Sequence, residues 1–186
     1  SQDVLDTARV LQLRQARAGI SADLDRLGSA LADLAERHRD TPMAGRTLMQ
    51  PALPITLGAK AAGWLDHVAR CRSHLELAFD EAMTLQFGGA VGTLSALGPD
   101  AAAVRAALAE ELSLHEPPVT WHTGRDRFAR LASEAVLMLA AVAKISRDVA
   151  LIMQMEIGEA REPAGEGRGG SSTMPQKRNP VAAPAV

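Results

Sequence analysis

The chain has 186 residues, 47% of them hydrophobic but only 3% aromatic and none tyrosine, a balance that favours close-packed helices over sheet sandwiches. A formal net charge of -2 does not suggest a surface for nucleic acid or an anionic membrane, and a single cysteine, Cys71, excludes an internal disulfide. The longest apolar run, residues 135–143, is stopped by Lys144 and is too short to span a bilayer; no signal peptide is visible, and the expected compartment is the cytoplasm.

Ser1 or Asp3 can accept from the open amides of a first helical turn, so the chain is expected to enter a helix at once. Leu13, Ile20, Leu24, Leu27, Leu31 and Leu34 then form one stripe, and the helix is expected to end near Arg39, before Asp40-Thr41-Pro42. Residues 45–51 read as a polar turn, with Pro54 as the first residue of a second helix. Its stripe, Leu57, Ala61, Trp64, Val68, Cys71, Leu75, Ala78, Ala82 and Leu85, alternates steps of four and three, the mark of a rod packed lengthwise against other helices.

The glycine-rich run 88–93 breaks the rod, and Pro99-Asp100 opens a short alanine-rich helix ending near Leu114. Pro117-Pro118 predicts an extended or looped approach to Trp121-His122-Thr123. A third long helix starts near Arg125, carries Phe128, Leu131, Ala135, Met138, Val142, Ile145, Val149 and Ile152, and fades towards Ala160. Asn179-Pro180 reads as the cap and first position of a fourth helix that Pro184 disturbs. No stretch has the alternation of a strand, so the fold class is all-α: a long-helix bundle of three long helices plus a short helix and loops.

Near the end of the chain, residues 169–180 collect two hydroxyls, a lysine, an arginine and an amide on a glycine-rich segment. That composition also suits a solvated linker. Residues 165–170 fit G-x-G-x-x-G, but the strand and following helix that a dinucleotide site requires are missing, so no nucleotide cofactor is expected. The five histidines lack ligand spacing, and no metal is expected either. His38, His67, His74 and His115 fall on helical patterns, whereas His122 stands in a loop where proton transfer and a structural bond to a carbonyl are both open.

The order Gly170-Ser171-Ser172-Thr173-Met174-Pro175-Gln176-Lys177-Arg178-Asn179-Pro180 resembles the signature of the fumarase/aspartase superfamily. Residues 1–8, the histidine-free Gly-Arg-Thr-Leu-Met-Gln at 45–50, residues 86–93 and 121–127 are all similar to one branch of it, the bacterial 3-carboxy-cis,cis-muconate cycloisomerases. The resemblance covers essentially the whole chain, but family members are more than twice as long. It therefore implies that residues 1–186 are part of the central helical-bundle domain, without the family's N-terminal and C-terminal domains.

What the resemblance implies about chemistry is specific. Family members remove a proton beside a carboxylate and expel a group from the neighbouring carbon, or run the reverse addition, at sites assembled from three segments on three subunits of a tetramer. The implied partner is thus a small polycarboxylate substrate within a homo-oligomer, with no cofactor, no nucleic acid and no membrane. Ser171 matches the family's base; Lys177 and Asn179 match its carboxylate ligands; Ser1, Gln2, Arg46, Thr47, Gln50 and Arg125 are further substrate-binding candidates, and His122 is a second catalytic candidate. Many members carry a histidine where this chain has Leu48, which argues against the alternative, a lyase releasing fumarate from adenylosuccinate or argininosuccinate. A non-catalytic helical assembly fragment is the other alternative.

Overall fold

The computed structural model describes residues 2–163, 170, 173, 174 and 176–185. The chain divides into two compact units, Ser1–Leu27 with Arg72–Val136 and Gly28–Cys71 with Leu137–Val186. Helix α1 runs Gln2–Arg37, strands β1 and β2 run Pro42–Thr47 and Gln50–Thr56, and α2 runs Leu57–Ala82. A 3-10 segment, Ser95–Asp100, leads into α3, Ala101–Leu112; α4 is Asp126–Ile152, and a single 3-10 turn, Ala183–Ala185, follows. The architecture is helical, as expected, and most of the α2 stripe is buried, at Ala61, Trp64, Val68, Leu75, Ala78 and Ala82. The helix ends at Ala82, so Leu85, expected on the same rod, is buried from the extended segment that follows it.

In the first unit, Val10 and Leu24 of α1 share a core with Leu75, Ala78 and Phe79 of α2, Ala109 of α3, and Trp121 and Leu131. Each such large side chain contributes roughly 1.5–3 kcal/mol by leaving water. The rim of this core is charged: Arg17 donates to Glu76 and Asp80 at 2.8 and 2.7 Å, and Ser21 donates to Glu76 at 2.6 Å. After α2 the chain stays extended and buried through Gln86, held by Leu85 N donating to His115 O at 2.9 Å and His115 N to Met83 O at 2.8 Å.

In the second unit, Leu31, Ala61, Trp64, Val68, Met138, Ala141 and Ile152 are buried, and Trp64 Nε1 donates to Asp148 at 2.8 Å. Lys144 and Lys60 also reach Asp148, at 2.5 and 3.4 Å. Burial pushes the Asp148 carboxyl up, but these donors outweigh it and hold the carboxyl below its ordinary value.

The polar turn expected at residues 45–51 is instead an antiparallel hairpin, pairing Pro42 with Thr56, Met43 with Ile55, Ala44 with Pro54, Arg46 with Pro51 and Thr47 with Gln50. The register breaks between Ala44 and Arg46, where a Cβ on Gly45 would run into the Leu53 carbonyl. Leu48 and Met49 form the tip with φ of 50° and 63°, the left-handed pair that a two-residue hairpin needs. The second helix accordingly starts at Leu57, not Pro54. Thr56 caps it by accepting from Ala59 N at 3.0 Å, and Leu57 N and Gly58 N donate to the Thr41 and His38 carbonyls at 2.9 and 2.8 Å.

Among the described residues, Asn179-Pro180 does not open the expected helix. The amides of Val181, Ala182 and Ala183 donate to the Glu162 carboxylate at 2.9–3.1 Å, and only one 3-10 turn follows. The third long helix ends at Ile152, short of the fade towards Ala160.

Candidate active site

The candidate site residues of the first unit converge where the start of α1, the glycine-rich loop and the segment before α4 meet. Along α1 the inward stripe of Leu24 and Val10 is continued towards the N-terminus by Asp6 and Asp3, with 0% and 9% of their surface exposed. Two acids standing where core residues belong require partners. They have them: Asp3 accepts from His122 Nε2 at 2.8 Å, Gln86 Nε2 at 3.0 Å and Gly89 N at 2.8 Å. Asp6 accepts a two-pronged contact from Arg125 at 2.7 and 2.9 Å, with Gln2 Nε2 at 2.7 Å and Arg9 at 3.3 Å.

The spacing explains why both pairs form together. Asp3 and Asp6 are three apart on a helix, so they share a face, and His122 and Arg125 are three apart in the segment opposite. Arg125 is further held between aromatic rings, 5.4 Å from the Trp121 centroid and 5.0 Å from that of Phe128, and these two rings meet edge to face at 5.3 Å.

Gln86, 1% exposed, ties the elements together. Its Nε2 donates to Asp3 and, at 2.6 Å, to Thr120 Oγ1; its Oε1 accepts from Trp121 N at 2.9 Å. Its backbone exchanges two bonds with the Thr7 hydroxyl, which donates to Gln86 O at 2.8 Å and accepts from Gln86 N at 3.2 Å. Trp121 Nε1 completes the seam by donating to Leu85 O at 2.9 Å.

The electrostatics follow from these bonds. Burial raises the Asp3 carboxyl, but Gln86, the Gly89 and Gly88 amides and His122 together hold it below its ordinary value. For Asp6 the Arg125 bonds come first; although burial opposes them, with Gln2 they bring the carboxyl down to about 2. Arg125 is raised in turn by Asp6. Above this charged floor lies an open depression of about 870 Å³ lined by Gln2, Gly89, Ala90, His122, Thr123 and Arg125.

The sequence-predicted residues thus fall into separate groups. Gln2, His122 and Arg125 line one depression, with Arg125 tied to Asp6 and His122 to Asp3. Asp3, read as a helix cap, instead binds residues 83 to 119 positions away. Arg46, Thr47 and Gln50 belong to the second unit, on the hairpin: Arg46 is clamped by Glu159 at 2.7 and 2.9 Å, while Thr47 and Gln50 are exposed. Lys177 is exposed and Asn179 half-buried, also in the second unit. Ser1 and Ser171 lie outside the described residues, as does most of the glycine run 165–170. Asp6, Thr7, Gln86 and Thr120 were not proposed as site residues by sequence reasoning, and Asp3 only as a helix cap; the available signal was an acid at two successive positions of an apolar stripe. Among the described residues no three His, Cys, Asp or Glu side chains are grouped to hold a metal.

A sequence profile of the lyase family matches residues 1–186, and the chain belongs to that family. Among its relatives is the 3-carboxy-cis,cis-muconate cycloisomerase of Pseudomonas aeruginosa, 56% identical over 181 residues, covering 97% of this chain and 39% of that protein. The enzyme of the same name from Bradyrhizobium diazoefficiens is 52% identical over 183 residues, covering 98% and 41%. The crystal structure of the 3-carboxy-cis,cis-muconate lactonizing enzyme from Pseudomonas putida superimposes with a TM-score of 0.92 at 50% identity, over 98% of this chain and 41% of that one. The chain therefore spans about two fifths of the length of these relatives.

Proposed function

We propose that this chain is the central helical portion, residues 1–186, of a cytoplasmic enzyme that closes 3-carboxy-cis,cis-muconate to a carboxymuconolactone. The observation that carries the reading is the convergence of Gln2, Gly89, His122 and Arg125 on one depression, in a chain 56% identical to a cycloisomerase of that name. In the closing direction a substrate carboxylate oxygen forms a C–O bond to one alkene carbon. The electron pair moves onto the neighbouring carbon and its carboxylate, and a proton is then added to that carbon.

The dianionic intermediate requires fixed donors and positive charge. Lys177, Asn179, Gln2 and Arg125 are the proposed carboxylate ligands, with Ser1, Arg46, Thr47 and Gln50. Ser171 returns the proton to carbon when the ring closes and removes it as an alkoxide in reverse, while His122 serves proton transfer at the depression. The proposed assembly is a homotetramer with shared sites. It is supported by the apolar side chains that the hairpin and α4 leave exposed: Leu48 at 93%, Leu53 at 81% and Leu139 at 65%.

The test is a chimera in which this segment replaces the matching residues of the Pseudomonas aeruginosa relative, assayed by the ultraviolet change as 3-carboxy-cis,cis-muconate is consumed. Lactone formation that Ser171→Ala slows by about 100-fold or more is expected. An inactive chimera, or a Ser171→Ala chimera as fast as its parent, overturns the reading, and fumarate released from adenylosuccinate would replace it with the lyase alternative.

A further inference from the structure

We infer that Asp3 is a positioning residue for His122, fixing the ring so that Nδ1, and not Nε2, is the nitrogen that meets the substrate. The inference rests on the proposed function only for the nature of the ligand, a small polycarboxylate. Its structural basis is independent of that reading. Nε2 is 2.8 Å from Asp3 Oδ1, and Asp3 is an acceptor already fixed by Gln86 and the Gly89 amide. An ionised carboxylate only accepts, so Nε2 must be the protonated, donating nitrogen. Nδ1 has no partner among the described residues, and His122 lines the open depression with 21% of its side chain exposed.

The neighbouring charges reinforce the arrangement. Asp3 bonds the ring, while Arg125, which also donates to the His122 carbonyl at 3.4 Å, is committed to Asp6 on both prongs. It therefore does not compete with His122 for Asp3. The ring is held at one edge by a carboxylate and presents its other edge to the cavity. Nδ1 acts as a proton acceptor when unprotonated and as a donor to a substrate oxygen when protonated, with Asp3 balancing the imidazolium charge.

The first test uses the chain itself, labelled with 15N on histidine and titrated with propane-1,2,3-tricarboxylate as the probe. A carboxylate supplies only acceptors, so Nδ1 must carry a proton to meet it. The His122 Nδ1 resonance is expected to make a large upfield move, with a smaller change at Nε2, which keeps its proton; a larger change at Nε2 than at Nδ1, or none at either nitrogen, overturns the inference. In Asp3→Asn, which keeps an acceptor oxygen, the nitrogen selectivity is retained. In Asp3→Leu it is lost.

A second test separates the two edges of the ring, because a glutamine amide nitrogen occupies the place of Nε2 and an asparagine amide nitrogen that of Nδ1. His122→Gln keeps the bond to Asp3 and the urea midpoint, yet in the chimera it lowers kcat/KM by about 100-fold. His122→Asn loses the midpoint but stays within about tenfold of parental kcat/KM. The opposite ranking overturns the inference even where the parental chimera is active. A parental chimera without lactone formation overturns the proposed reaction instead and leaves the nitrogen-specific titration to decide the role of Asp3.

Discussion

Replacing Asp6 with Asn tests the charged floor of the site most directly, because the side chain is fully buried and its carboxyl is held at about 2 against an ordinary 3.8. At about 1.36 kcal/mol per pKa unit, the folded state favours the ionised form by about 2 kcal/mol. Breaking a wholly buried ion pair costs about 3–5 kcal/mol, but that figure is an upper bound here, since Arg125 is 39% exposed and turns its guanidinium to water once released. Asp6→Asn is therefore expected to lower the unfolding free energy by about 2 kcal/mol at pH 7. A carboxyl whose folded pKa is depressed contributes fully above its unfolded pKa and progressively less as pH falls through the folded value. The wild-type advantage should thus be about halved at pH 3, and nearly gone by pH 2. Urea titrations of the two proteins at pH 7 and pH 3, followed by circular dichroism, read this difference, in which other titrating groups cancel. An equal gap at both pH values, or no gap at pH 7, refutes the assignment of the stabilisation to the Asp6 charge.

Gly88→Ala would put a Cβ 2.5 Å from Thr120 Oγ1 and 2.8 Å from Thr120 Cβ, and should cost about 1–3 kcal/mol in a urea titration, with Gln86 losing its Thr120 contact. Replacing Leu48-Met49 by Asn-Gly suits the left-handed turn and should stabilise the isolated chain by about 0.5–1 kcal/mol, read as a higher Tm; a lower Tm shows that the tip side chains have partners. Arg46→Ala removes the Glu159 clamp, so hydrogen exchange should quicken at the β1–β2 ladder while the amides of the first turns of α1 keep their rates.

Periodicity disclosed α2 well because its bulky residues alternate by four and three for the whole length of the helix. In α1 the same method found Leu24 and Leu31 but selected Ile20, which is 39% exposed, and missed Val10, which is fully buried. The reason is chemical: towards the N-terminus the inward face stops being apolar and becomes acidic, so a search for hydrophobic spacing loses the stripe where the site begins. The hairpin was hidden for a different reason. Pro42, Pro51 and Pro54 lie within its strands, where an open two-stranded ribbon tolerates them at edges, and its turn is Leu-Met without the usual Asn-Gly. Motif order identified His122 and Arg125, but the partners that hold them are 119 residues away, and no local pattern carries that pairing.

The segment carrying His122 is attached at three successive points: the Trp121 amide to Gln86, the His122 ring to Asp3 and the Arg125 fork to Asp6. One tether would let it swing, and two would still permit rotation about the line joining them. With one anchor on the segment after α2 and two on α1, the segment is held from two elements at once, so the loop moves with its supports as a solid part. Precision at the depression is then achieved without burying the loop, and the cavity can stay open to solvent while its walls hold their shape. A lost tether should accordingly register first as angular imprecision of the imidazole, before any unfolding.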